Sequence, residues 1–566
     1  MKILGISCFY HDSAVAAVKD EQICFAIQEE RLSRVKHDSR FPIMAITKAL
    51  EICNWKINDV DTIVFYENPE LKLRRLYDQV ISRWPHGWTL FSDHLPRFYK
   101  FKYPIEQIIR DNLRYNGPVK FIEHHRSHAA SSFFTSPFEK ALVLTIDGVG
   151  EYDTTAVFTG EGNLLIKKES IHFPDSLGLL YSVFTQYLGF EVNEGEYKVM
   201  GLAPYGTPRF VKKILDKMIF LNDDGSFHLD QSFFDFISRE KHYSSNFIKS
   251  LGILPRKAGG LISQEHKDLA ASIQKVLEIA ILHMLKKLLA IYNYDSVCMA
   301  GGVALNCTAN AEILRELGVK LYIQPAAGDA GGALGAAMDI AMEKISKSQY
   351  RFPFTPYLGT EYSDAAIKTI LEINNITAHR LPNIAFIIAK HLSEGNVVGV
   401  VHGRDEWGPR ALGNRSILAD PRQANMKDHL NAKIKFREEF RPFAPVIMEE
   451  FASQYFEMLD MNNSPYMLFT HKTLKPNDIP AVVHEDNTSR IQTLSASQNP
   501  YLYAVLSEFY KITGIPVLIN TSFNLKGEPI VSSPSDALKT FFASGIDFLA
   551  IENFLIEKTY DKRLSI

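Results

Sequence analysis

Two histidines and an aspartate have the residue types and spacing of a metal-binding site. His124 and His128 are four residues apart, and the segment from Ala129 to Phe134 is typical of a helix. On a helix such a pair lies on one face, with side-chain bases about 6 Å apart. Asp147 ends an apolar run of β-strand type, and two imidazoles with one carboxylate can bind a divalent ion. The alternative is structural, with histidines at a helix start and Asp147 opening a glycine turn.

Glycine-rich turns lie where strands lead into helices. The predicted strand Ser296–Ala300 runs directly into Gly301 and Gly302. Glycines at a helix start let backbone N–H groups approach a nucleotide phosphate closely. A second turn of this kind, at residues 328–335, supplies Asp329 as a fourth metal ligand. Tight helix packing is the alternative explanation for the small residues of this second turn.

The C-terminal half combines cations with glycine, proline and phenylalanine. The segments are 403–416 and 433–445, with further polar loops at 484–490 and 519–528. Rigid or apolar neighbours fix such side chains, and a fixed arginine can bind two phosphate oxygens at once. The pattern therefore indicates a site for an anionic small molecule. The alternative is structural ion pairing, with the acidic partners Asp405, Glu438 and Glu439.

The elements that must position these residues form an internal repeat. Residues Lys2 to Gln28 predict three strands joined by turns, and the same pattern recurs from Leu142 to Lys168. Helices follow each group of strands. This favours two related α/β lobes whose hairpins face each other across a cleft, a plan similar to that of actin-like ATPases. The alternative is two unrelated sheets.

Length and composition are typical of a multidomain globular protein. The chain has 566 residues, and the polar stretch 343–357 predicts a boundary between domains at residues 1–345 and 358–566. The formal net charge of -3 gives no general attraction to nucleic acid or to anionic membranes, so we expect neither as a partner. Five scattered cysteines are typical of a reducing compartment, and no stretch is apolar enough to span a bilayer. We therefore expect a cytoplasmic protein.

Several ordered motifs cover nearly the whole chain. They are His11–Ala14, Gln28–Arg31 with Lys36–Asp38, the stretch 123–130, Glu194–Gly206, Gly301–Asn306, Gly408–Ser416, Phe436–Pro445 and Asn520–Glu528. Together they resemble the O-carbamoyltransferases that modify antibiotics, nodulation factors and related natural products. The resemblance implies a two-lobed actin-like (ribonuclease H-like) N-terminal domain, similar to the threonylcarbamoyl-transfer enzyme of tRNA modification. It also implies a C-terminal YrdC-like α/β domain.

The resemblance implies a reaction in two steps. The C-terminal domain would form carbamoyl-adenylate from carbamoyl phosphate and ATP, with release of phosphate and pyrophosphate. The N-terminal domain would then transfer the carbamoyl group to a hydroxyl of a small-molecule acceptor. The implied cofactor is a divalent metal ion of the iron(II) type, and magnesium would accompany ATP. A histidine and a metal ion suit this chemistry, because it needs a base and stabilisation of developing negative charge.

The resemblance also assigns roles to individual residues. The metal ligands would be His124, His128, Asp147 and Asp329. The nucleotide contacts would be Lys198, Gly201, Gly301, Gly302 and Asn306. The carbamoyl phosphate contacts would be Arg410, Lys435, Arg441, Arg490 and Asn520. In the catalytic step, His11 would lie beside the acceptor hydroxyl and Lys36 near the phosphate of the adenylate.

Two stretches have no counterpart among these motifs, so acceptor recognition is not assigned. They are residues 220–261 and the aromatic-rich stretch 82–103, which would line an acceptor pocket, form a buried loop or form the contact surface of a homodimer. Two other functions stay open. One is an actin-like ATPase or small-molecule kinase with a regulatory C-terminal domain, and the other is a non-catalytic nucleotide sensor. Two histidines and two carboxylates would also suit oxygen-activating iron.

Overall fold

The chain divides into two compact units. The computed structural model describes residues 1–82, 88, 90–236, 241–345, 351–459, 461 and 463–558. The first unit comprises Met1–Glu29 and Asp38–Phe354, and the second comprises Glu30–His37 and Thr355–Ile566. The short N-terminal segment Glu30–His37 thus belongs to the second unit, which the sequence-based ranges did not include.

The first half of the first unit contains a five-stranded sheet. Its strands are β1 (Lys2–Ser7), β2 (Ala14–Lys19), β3 (Gln22–Gln28), β4 (Thr62–Phe65) and β5 (Val119–Phe121). The order across the sheet is β3-β2-β1-β4-β5, and β1 pairs antiparallel with β2 and parallel with β4. The helices of this part of the chain are α1 (Glu29–Ser33), α2 (Ile43–Ile52), α3 (Pro69–Ser82), α4 (Leu95–Phe101) and α5 (Ile105–Leu113).

The second half of the first unit repeats this sheet. Its strands are β6 (Lys140–Ile146), β7 (Asp153–Glu161), β8 (Leu164–His172), β9 (Ile219–Leu221), β10 (Phe227–Leu229), β11 (Ser296–Ala300) and β12 (Lys320–Ile323). The order across the large sheet is β12-β11-β6-β7-β8, while β9 and β10 form a separate hairpin. Here β6 pairs antiparallel with β7 and parallel with β11. Both large sheets therefore have the same topology, which confirms the predicted repeat.

The helices of this second half include the longest in the unit. They are α6 (His124–Phe133), α7 (Leu177–Tyr187), α8 (Glu196–Leu202), α9 (Val211–Lys217), α10 (Ser245–Leu251), α11 (Gln264–Tyr292), α12 (Cys307–Leu317) and α13 (Asp329–Met342). The side chain of Ser263 accepts a hydrogen bond from the N–H of His266 at the start of α11, and Asn293 ends this helix in a left-handed conformation. None of the helices in the described ranges is long and apolar enough to cross a membrane.

Glycines let α13 pack against its neighbours at backbone distance. A Cβ added at Gly335 would lie 1.8 Å from the carbonyl oxygen of Ser127 on α6. A Cβ added at Gly5 on β1 would lie 1.9 Å from the carbonyl oxygen of Ala333 on α13. No side chain fits at either contact, so both positions require glycine. The contacts fix the first residue of α13, Asp329, relative to α6.

The second unit is an α/β domain built on an eight-stranded mixed sheet. Its helices are α14 (Asp364–Ile373), α15 (Ile384–Ser393), α16 (Met426–His429), α17 (Ala452–Tyr455), α18 (Pro500–Thr513) and α19 (Pro534–Phe542). Its strands are β13 (His379–Arg380), β14 (Val398–Val401), β15 (Arg415–Ala419), β16 (Ala444–Met448), β17 (Thr470–Lys472), β18 (Thr488–Arg490), β19 (Gln492–Leu494), β20 (Val517–Ser522), β21 (Phe548–Ile551) and β22 (Phe554–Glu557). The sheet order is β13-β22-β21-β14-β15-β20-β16-β19, and β17 pairs with β18 separately.

Both faces of this large sheet are buried. On β20, Val517 and Ile519 pack into one apolar cluster with residues of α14 and α19, while Leu518 packs into another with residues of α15 and α18. Alternate residues of a strand point to opposite faces, so helices cover the sheet on both sides. The structure confirms the predicted α/β class, with two sheets of equivalent topology in the first unit and a separate α/β domain in the second.

Candidate functional site

Four potential metal ligands come together in the first unit. His124, His128, Asp147 and Asp329 each offer one ligand atom, and these atoms all lie within 4.8 Å of one another. Asp147 Oδ2 lies 3.0 Å from the Nε2 atoms of both histidines, which are 3.1 Å apart. Asp329 Oδ1 lies 3.8 Å from His124 Nε2 and 3.5 Å from His128 Nε2. The structure thus groups the four predicted ligands.

Three elements position these side chains. His124 and His128 lie one turn apart on α6, as the spacing predicted. Asp147 follows the last residue of β6, and Asp329 is the first residue of α13. Because α13 packs against α6 through Gly335, its start is fixed beside the two histidines. A strand end and two helices therefore bring together ligands that are far apart in the sequence.

Two further residues hold the start of α6 in place. The carboxylate of Glu151 accepts hydrogen bonds from the backbone N–H groups of His124, at 3.0 Å, and Asn68, at 2.6 Å. The ring of His125 lies 2.7 Å from Thr145 Oγ1 through Nδ1, and 2.9 Å from a backbone carbonyl oxygen through Nε2. Burial, together with the neighbouring histidines, lowers the pKa of His125 well below its ordinary value. His125 is therefore a neutral structural residue outside the ligand cluster.

Hydrogen bonds and charge set the protonation of the cluster. Burial opposes a charge on His128, but hydrogen bonds with Asp147 and Asp329 raise its pKa to about 9. Burial also opposes ionisation of Asp147, yet hydrogen bonds from the two histidines hold the pKa of this carboxyl well below its usual range. The cluster therefore contains an ionised carboxylate that faces two imidazoles.

The donor set fits a divalent transition metal ion. Two imidazole nitrogens and two carboxylate oxygens are ligands that iron, manganese and zinc accept. The second carboxylate oxygen of Asp329, Oδ2, is buried and makes no hydrogen bond within the described part of the chain. An ion at the cluster would give the converging nitrogen and oxygen atoms a common partner.

The two predicted catalytic residues lie in different units. His11 belongs to the turn between β1 and β2, with Nδ1 at 3.0 Å from Asp12 Oδ2 and Nε2 at 3.1 Å from the carbonyl oxygen of Asn193. Both ring nitrogens thus face oxygen atoms. Lys36 belongs to the segment Glu30–His37 of the second unit.

The predicted nucleotide glycines lie directly beside the metal ligands. Gly301 has a φ of 90°, and a Cβ added there would lie 2.2 Å from the carbonyl oxygen of Ile146. A Cβ added at Gly302 would lie 3.2 Å from Asp147 Oδ1. Gly301 is therefore required by the approach of the turn to β6, and Gly302 keeps space open next to a metal ligand.

The other predicted nucleotide residues have structural contacts of their own. Asn306 Oδ1 accepts a hydrogen bond from the N–H of Ala309 at 3.0 Å and so caps α12. The same amide exchanges hydrogen bonds of 2.9 and 3.1 Å with Gln274. Lys198 and Gly201 both lie on α8, and Lys198 Nζ is 5.9 Å from the ring centroid of Phe190. Their nucleotide contacts stay predictions.

One arginine of the second unit is structural. Arg415 is fully buried and forms an ion pair of 2.6 Å with Asp405, which is also fully buried. Its guanidinium donates further hydrogen bonds to the carbonyl oxygens of His402, Thr360 and Ser532. The alternative of structural ion pairing with Asp405 is thus confirmed for this residue.

The loop that carries Arg410 is closed by a buried carboxylate. Glu406 Oε1 accepts hydrogen bonds from the backbone N–H groups of Leu412, Asn414 and Arg415, at 2.8, 2.7 and 3.1 Å. Arg410 lies in the middle of this loop.

Lys435 and Asn520 lie near the end of β20. Lys435 is buried, and its ammonium group donates to Ser522 Oγ at 3.2 Å and to Asn524 Oδ1 at 2.9 Å. Burial, with Arg437 and Arg441 nearby, lowers the pKa of Lys435 well below its ordinary value. The acceptors of its hydrogen bonds are neutral, so a bound anion would stabilise its charged form.

Asn520 connects β20 to the loop of Arg410. Its amide nitrogen donates to Gln492 Oε1 at 2.7 Å and to the carbonyl oxygen of Ala411 at 3.4 Å. Its carbonyl oxygen, Oδ1, is buried and makes no hydrogen bond with a described residue. The contacts therefore place Lys435, Asn520 and the Arg410 loop around one end of β20.

The remaining two residues predicted to bind carbamoyl phosphate are Arg441 and Arg490. Arg441 Nη1 lies 3.6 Å from Glu438 Oε2, and its charge contributes to the lowered pKa of Lys435. Arg490 is the last residue of β18, and its Nε atom is buried without a hydrogen-bond partner in the described ranges. Their roles in anion binding stay predictions.

The segment Glu30–His37 was not expected in the second unit. Arg31 is buried and donates through Nη2 to the carbonyl oxygen of Gly408 at 2.8 Å. Arg34 donates to the carbonyl oxygens of Ile530, at 2.6 Å, and Pro529, at 2.9 Å. Arg31 belongs to one of the sequence motifs and Arg34 does not, and the acceptors of both are backbone atoms that sequence patterns do not identify.

The aromatic stretch 82–103 contains helix rather than an irregular loop. The described part forms a π-helical turn at Leu90–His94, followed by α4. Trp88, Phe91, Tyr99 and Phe101 expose between 43% and 57% of their surface. Trp84 lies outside the described residues, as do positions 237–240 of the stretch 220–261.

Sequence reasoning also missed a group of charges on the helices next to this stretch. Lys72 and Arg75 on α3 are buried, and Lys102 follows the last residue of α4. The sequence does contain a signal for this group. Lys72 and Arg75 are three residues apart, as are the buried Leu73 and Leu76, and this spacing places the two cations beside the apolar face of a helix.

Both halves of the chain match models of one protein family. The model described as carbamoyltransferase N-terminus matches residues 2–338, and the model described as carbamoyltransferase C-terminus matches residues 389–558. The first match contains the metal-ligand cluster. The second contains all five residues predicted to bind carbamoyl phosphate.

Several curated proteins are similar over most of their length. An uncharacterized protein of Synechocystis sp. is 42% identical, over 98% of this chain and 97% of that protein. Nodulation protein NolNO of Sinorhizobium fredii is 37% identical, over 97% of this chain and 79% of that protein. Nodulation protein U of the same species is 29% identical, over 95% of this chain and 96% of that protein.

Two solved structures show distant similarity. Component A of (R)-2-hydroxyglutaryl-CoA dehydratase from Acidaminococcus fermentans has a TM-score of 0.35 and 16% identity, covering 61% of this chain and 98% of that chain. Full-length HypF in its phosphate- and nucleotide-bound form has a TM-score of 0.32 and 13% identity, covering 62% of this chain and 47% of that chain. Similarities at this level carry no functional argument.

Proposed function

The chain belongs to the carbamoyltransferase family, and we propose that it is an ATP-dependent O-carbamoyltransferase acting on a small-molecule natural product. The second unit forms carbamoyl-adenylate from carbamoyl phosphate and ATP. The first unit transfers the carbamoyl group to a hydroxyl of the acceptor. One observation carries the proposal: four metal ligands converge in the half of the chain that matches the N-terminal family model.

The first step releases both phosphate and pyrophosphate. Water opens carbamoyl phosphate to carbamate and phosphate. An oxygen of carbamate then attacks the α-phosphorus of ATP and displaces pyrophosphate, which leaves carbamoyl-adenylate. In the proposed site Arg410, Lys435, Arg441 and Arg490 bind the phosphate oxygens of carbamoyl phosphate. Lys435 supports this role, since its hydrogen bonds go to neutral oxygens and an anion would balance its charge.

Asn520 is suited to the carbamoyl end of the same substrate. A carbamoyl group carries an NH₂ donor, and Asn520 Oδ1 is a buried acceptor without a described hydrogen-bond partner. The amide nitrogen of Asn520 is already held by Gln492, so the side chain is oriented before the substrate binds. A fixed acceptor distinguishes an NH₂ group from the methyl group of an acetyl analogue.

In the second step His11 acts on the acceptor hydroxyl. Its Nε2 atom takes the hydroxyl proton while the acceptor oxygen attacks the carbamoyl carbon, and AMP leaves with the electrons of the broken acyl bond. Asp12 orients the ring through Nδ1. The carbonyl oxygen of Asn193 now lies 3.1 Å from Nε2, so the acceptor hydroxyl takes the place of this carbonyl.

The metal centre and the nucleotide contacts complete the proposal. His124, His128, Asp147 and Asp329 would hold a divalent ion, iron(II) in our proposal, which supplies Lewis-acid stabilisation of negative charge. The nucleotide contacts are Lys198, Gly201, Gly301, Gly302 and Asn306, with magnesium accompanying ATP, and Lys36 contacts the phosphate of the adenylate. The proposed domains are residues 1–345 and 358–566. We also propose a cytoplasmic location, which the five free cysteines support.

Pyrophosphate release tests the proposed reaction. The full chain should release pyrophosphate only when ATP and carbamoyl phosphate are both present. Equal ATP turnover without carbamoyl phosphate would instead favour the kinase or ATPase alternative, and no turnover would favour a nucleotide sensor. Transfer is measured by mass spectrometry of carbamoylated products from a panel of hydroxylated small molecules.

The substitution His11→Ala tests the division of labour between the steps. It should keep carbamoyl phosphate-dependent pyrophosphate release and slow transfer by about 10²- to 10⁴-fold, the usual effect of losing a general base. His228→Ala is the matched control, since His228 is exposed on β10. Loss of pyrophosphate release in His11→Ala would contradict the assignment of adenylate formation to the second unit.

A further inference from the structure

Two lysine ammonium groups lie over one tyrosine ring in the first unit. Tyr10, in the turn after β1, exposes 42% of its surface. Its ring centroid is 5.6 Å from Lys72 Nζ on α3 and 5.3 Å from Lys102 Nζ after α4. A Cβ added at Gly148 would lie 3.8 Å from the Tyr10 hydroxyl oxygen, and Gly148 directly follows the metal ligand Asp147. The lysine pair therefore lies close to the metal cluster, around a residue that reaches solvent.

Only one of the two lysines has a carboxylate partner. Lys72 donates a hydrogen bond to Glu67, and both side chains are buried. The ammonium group of Lys102 forms no hydrogen bond or ion pair with any residue in the described ranges, and it contacts the Tyr10 ring. Burial, and the nearby charge of Lys72, lower the pKa of Lys102 to about 8. The group thus contains one cation that the protein does not neutralise by direct contact.

The charges of Glu67 and Asp329 act on Lys102 from nearby without direct contact, and other neighbouring groups are donors or neutral. Arg75 donates to the carbonyl oxygen of Gly150 at 2.8 Å. Burial raises the pKa of the Cys8 thiol well above its ordinary value, so Cys8 is neutral. The phenol of Tyr10 carries its hydroxyl proton at neutral pH, as an ordinary tyrosine does. An ammonium group and a hydroxyl group without described acceptors are donors that suit an oxyanion.

The position of Tyr10 indicates which substrate meets these donors. Tyr10 precedes His11, the residue that acts on the acceptor hydroxyl in the proposed reaction. Tyr10, Lys72 and Lys102 all belong to the chain segment around the first sheet. The predicted nucleotide contacts Lys198, Gly201, Gly301, Gly302 and Asn306 belong to the segment around the second sheet. The lysine group therefore belongs to the same sheet region as His11, and not to the region that carries the predicted nucleotide contacts.

We infer that Lys102, Lys72 and Tyr10 form an oxyanion subsite that binds a phosphate, sulfate or carboxylate group on the acceptor. The identification of the bound molecule as the acceptor rests on the proposed function. The chemistry of the subsite is independent of the proposed function, because any oxyanion of suitable size would meet the same ammonium and hydroxyl donors. An acceptor with a fixed anionic group would be held with its hydroxyl beside His11.

Equilibrium dialysis with radiolabelled inorganic phosphate tests the subsite on the full chain. Lys102→Met should weaken phosphate binding at one class of site by about tenfold or more, since a charge-assisted hydrogen bond is lost, and should leave the proposed carbamoyl phosphate site of the second unit unchanged. Lys100→Met is the matched control, because Lys100 lies on α4 two residues before Lys102, is exposed, and has its ammonium group 5.1 Å from the ring centroid of Phe101. Lys102→Arg should recover most of the affinity. Equal phosphate binding by the unsubstituted chain and Lys102→Met would overturn the subsite.

A parallel titration with ATP separates the two sources of an oxyanion. A matching loss of ATP affinity in Lys102→Met, absent in Lys100→Met, would assign the lysine group to the nucleotide phosphates and overturn the acceptor assignment. Pyrophosphate release by the unsubstituted chain is measured on the same preparation. Absence of pyrophosphate release would contradict the proposed function but not the oxyanion subsite, since the phosphate-binding measurement does not depend on turnover.

Discussion

The metal cluster of the first unit and the cation group of the second unit are built in opposite ways. In the first unit, the ligand atoms of His124, His128, Asp147 and Asp329 converge on one another within 4.8 Å. In the second unit two cations have separate partners, Lys435 in neutral oxygens of β20 and the following turn, and Arg415 in Asp405. The converging nitrogen and oxygen atoms would suit a shared ion, whereas Lys435 and Arg415 already have hydrogen-bond or ion-pair partners.

The two groups also differ in what holds their side chains in position. Backbone contacts at Gly5 and Gly335 fix the elements that carry the metal ligands, so the cluster forms without relying on the ligands themselves. In the second unit some cations are part of the hydrophobic interior and stabilise the fold. Substitution of one predicted metal ligand should therefore impair metal binding by the first unit. Substitution of Arg415 should lower the stability of the second unit.

The largest effect is expected for the buried ion pair. Arg415→Met leaves Asp405 buried without its cation, which should lower the free energy of unfolding of the second unit by about 3–5 kcal/mol. Differential scanning calorimetry of the full chain measures this. Arg380→Met is the control, because Arg380 pairs with Asp364 at the surface and should change stability by less than about 1 kcal/mol. Equal effects of the two substitutions would contradict a structural role specific to Arg415.

The metal cluster should lose its ion without losing its fold. His128→Ala is expected to weaken metal binding by more than about 100-fold, since even the loss of an outer-shell partner weakens it by 10- to 100-fold. Metal content after dialysis and the circular dichroism spectrum measure the two properties. His228→Ala, an exposed histidine on β10, should keep the ion. Full metal occupancy in His128→Ala would remove the cluster as a metal site.

A cation of the second unit should affect substrate affinity more than stability. Arg441→Ala is expected to weaken carbamoyl phosphate binding by about 10- to 100-fold, through loss of a charge-assisted hydrogen bond. Isothermal titration calorimetry measures the affinity. The control Lys433→Ala changes an exposed cation close by in the sequence. Unchanged affinity in Arg441→Ala would exclude Arg441 from the site.

The smallest effect concerns the response of the second unit to acid. Burial lowers the pKa of His484 to about 4, against about 6.5 in the unfolded chain. Between these values the unfolded state binds more protons, so stability is full above pH 6.5 and falls as the pH drops towards 4. His484→Gln should reduce this loss by about 1–2 kcal/mol, measured by calorimetry at pH 7 and pH 5. His379→Gln, at an exposed position, should leave the loss of stability between pH 7 and pH 5 unchanged. The same loss in His484→Gln as in the unsubstituted chain would exclude His484 as the cause of the acid response.

Regular patterns in the sequence predicted much of the fold. The strand Ser296–Ala300 has the predicted bounds. The repeated group of three strands was also visible, because alternating turns and apolar runs are local features. By contrast, the aromatic stretch 82–103 has no regular apolar period, so its helical turns were not predicted.

Long-range contacts account for what the sequence did not predict. Glu30–His37 joins the second unit through hydrogen bonds from Arg31 and Arg34 to backbone carbonyl oxygens. Every residue has such a carbonyl oxygen, so no pattern marks the acceptors in advance. Lys72 and Lys102 meet over Tyr10 because three separate elements approach one ring, which is also invisible in the linear sequence.

The sequence by itself determined the chemistry that is local to one element. A spacing of four residues on a helix places His124 and His128 on the same face, and the apolar run before Asp147 ends a strand at that residue. Only the tertiary structure decided that Asp147 and Asp329 lie within reach of both histidines. The physical reason is the packing of α13 against α6 and β1, where glycines allow backbone contact and so bring a helix start to a strand end.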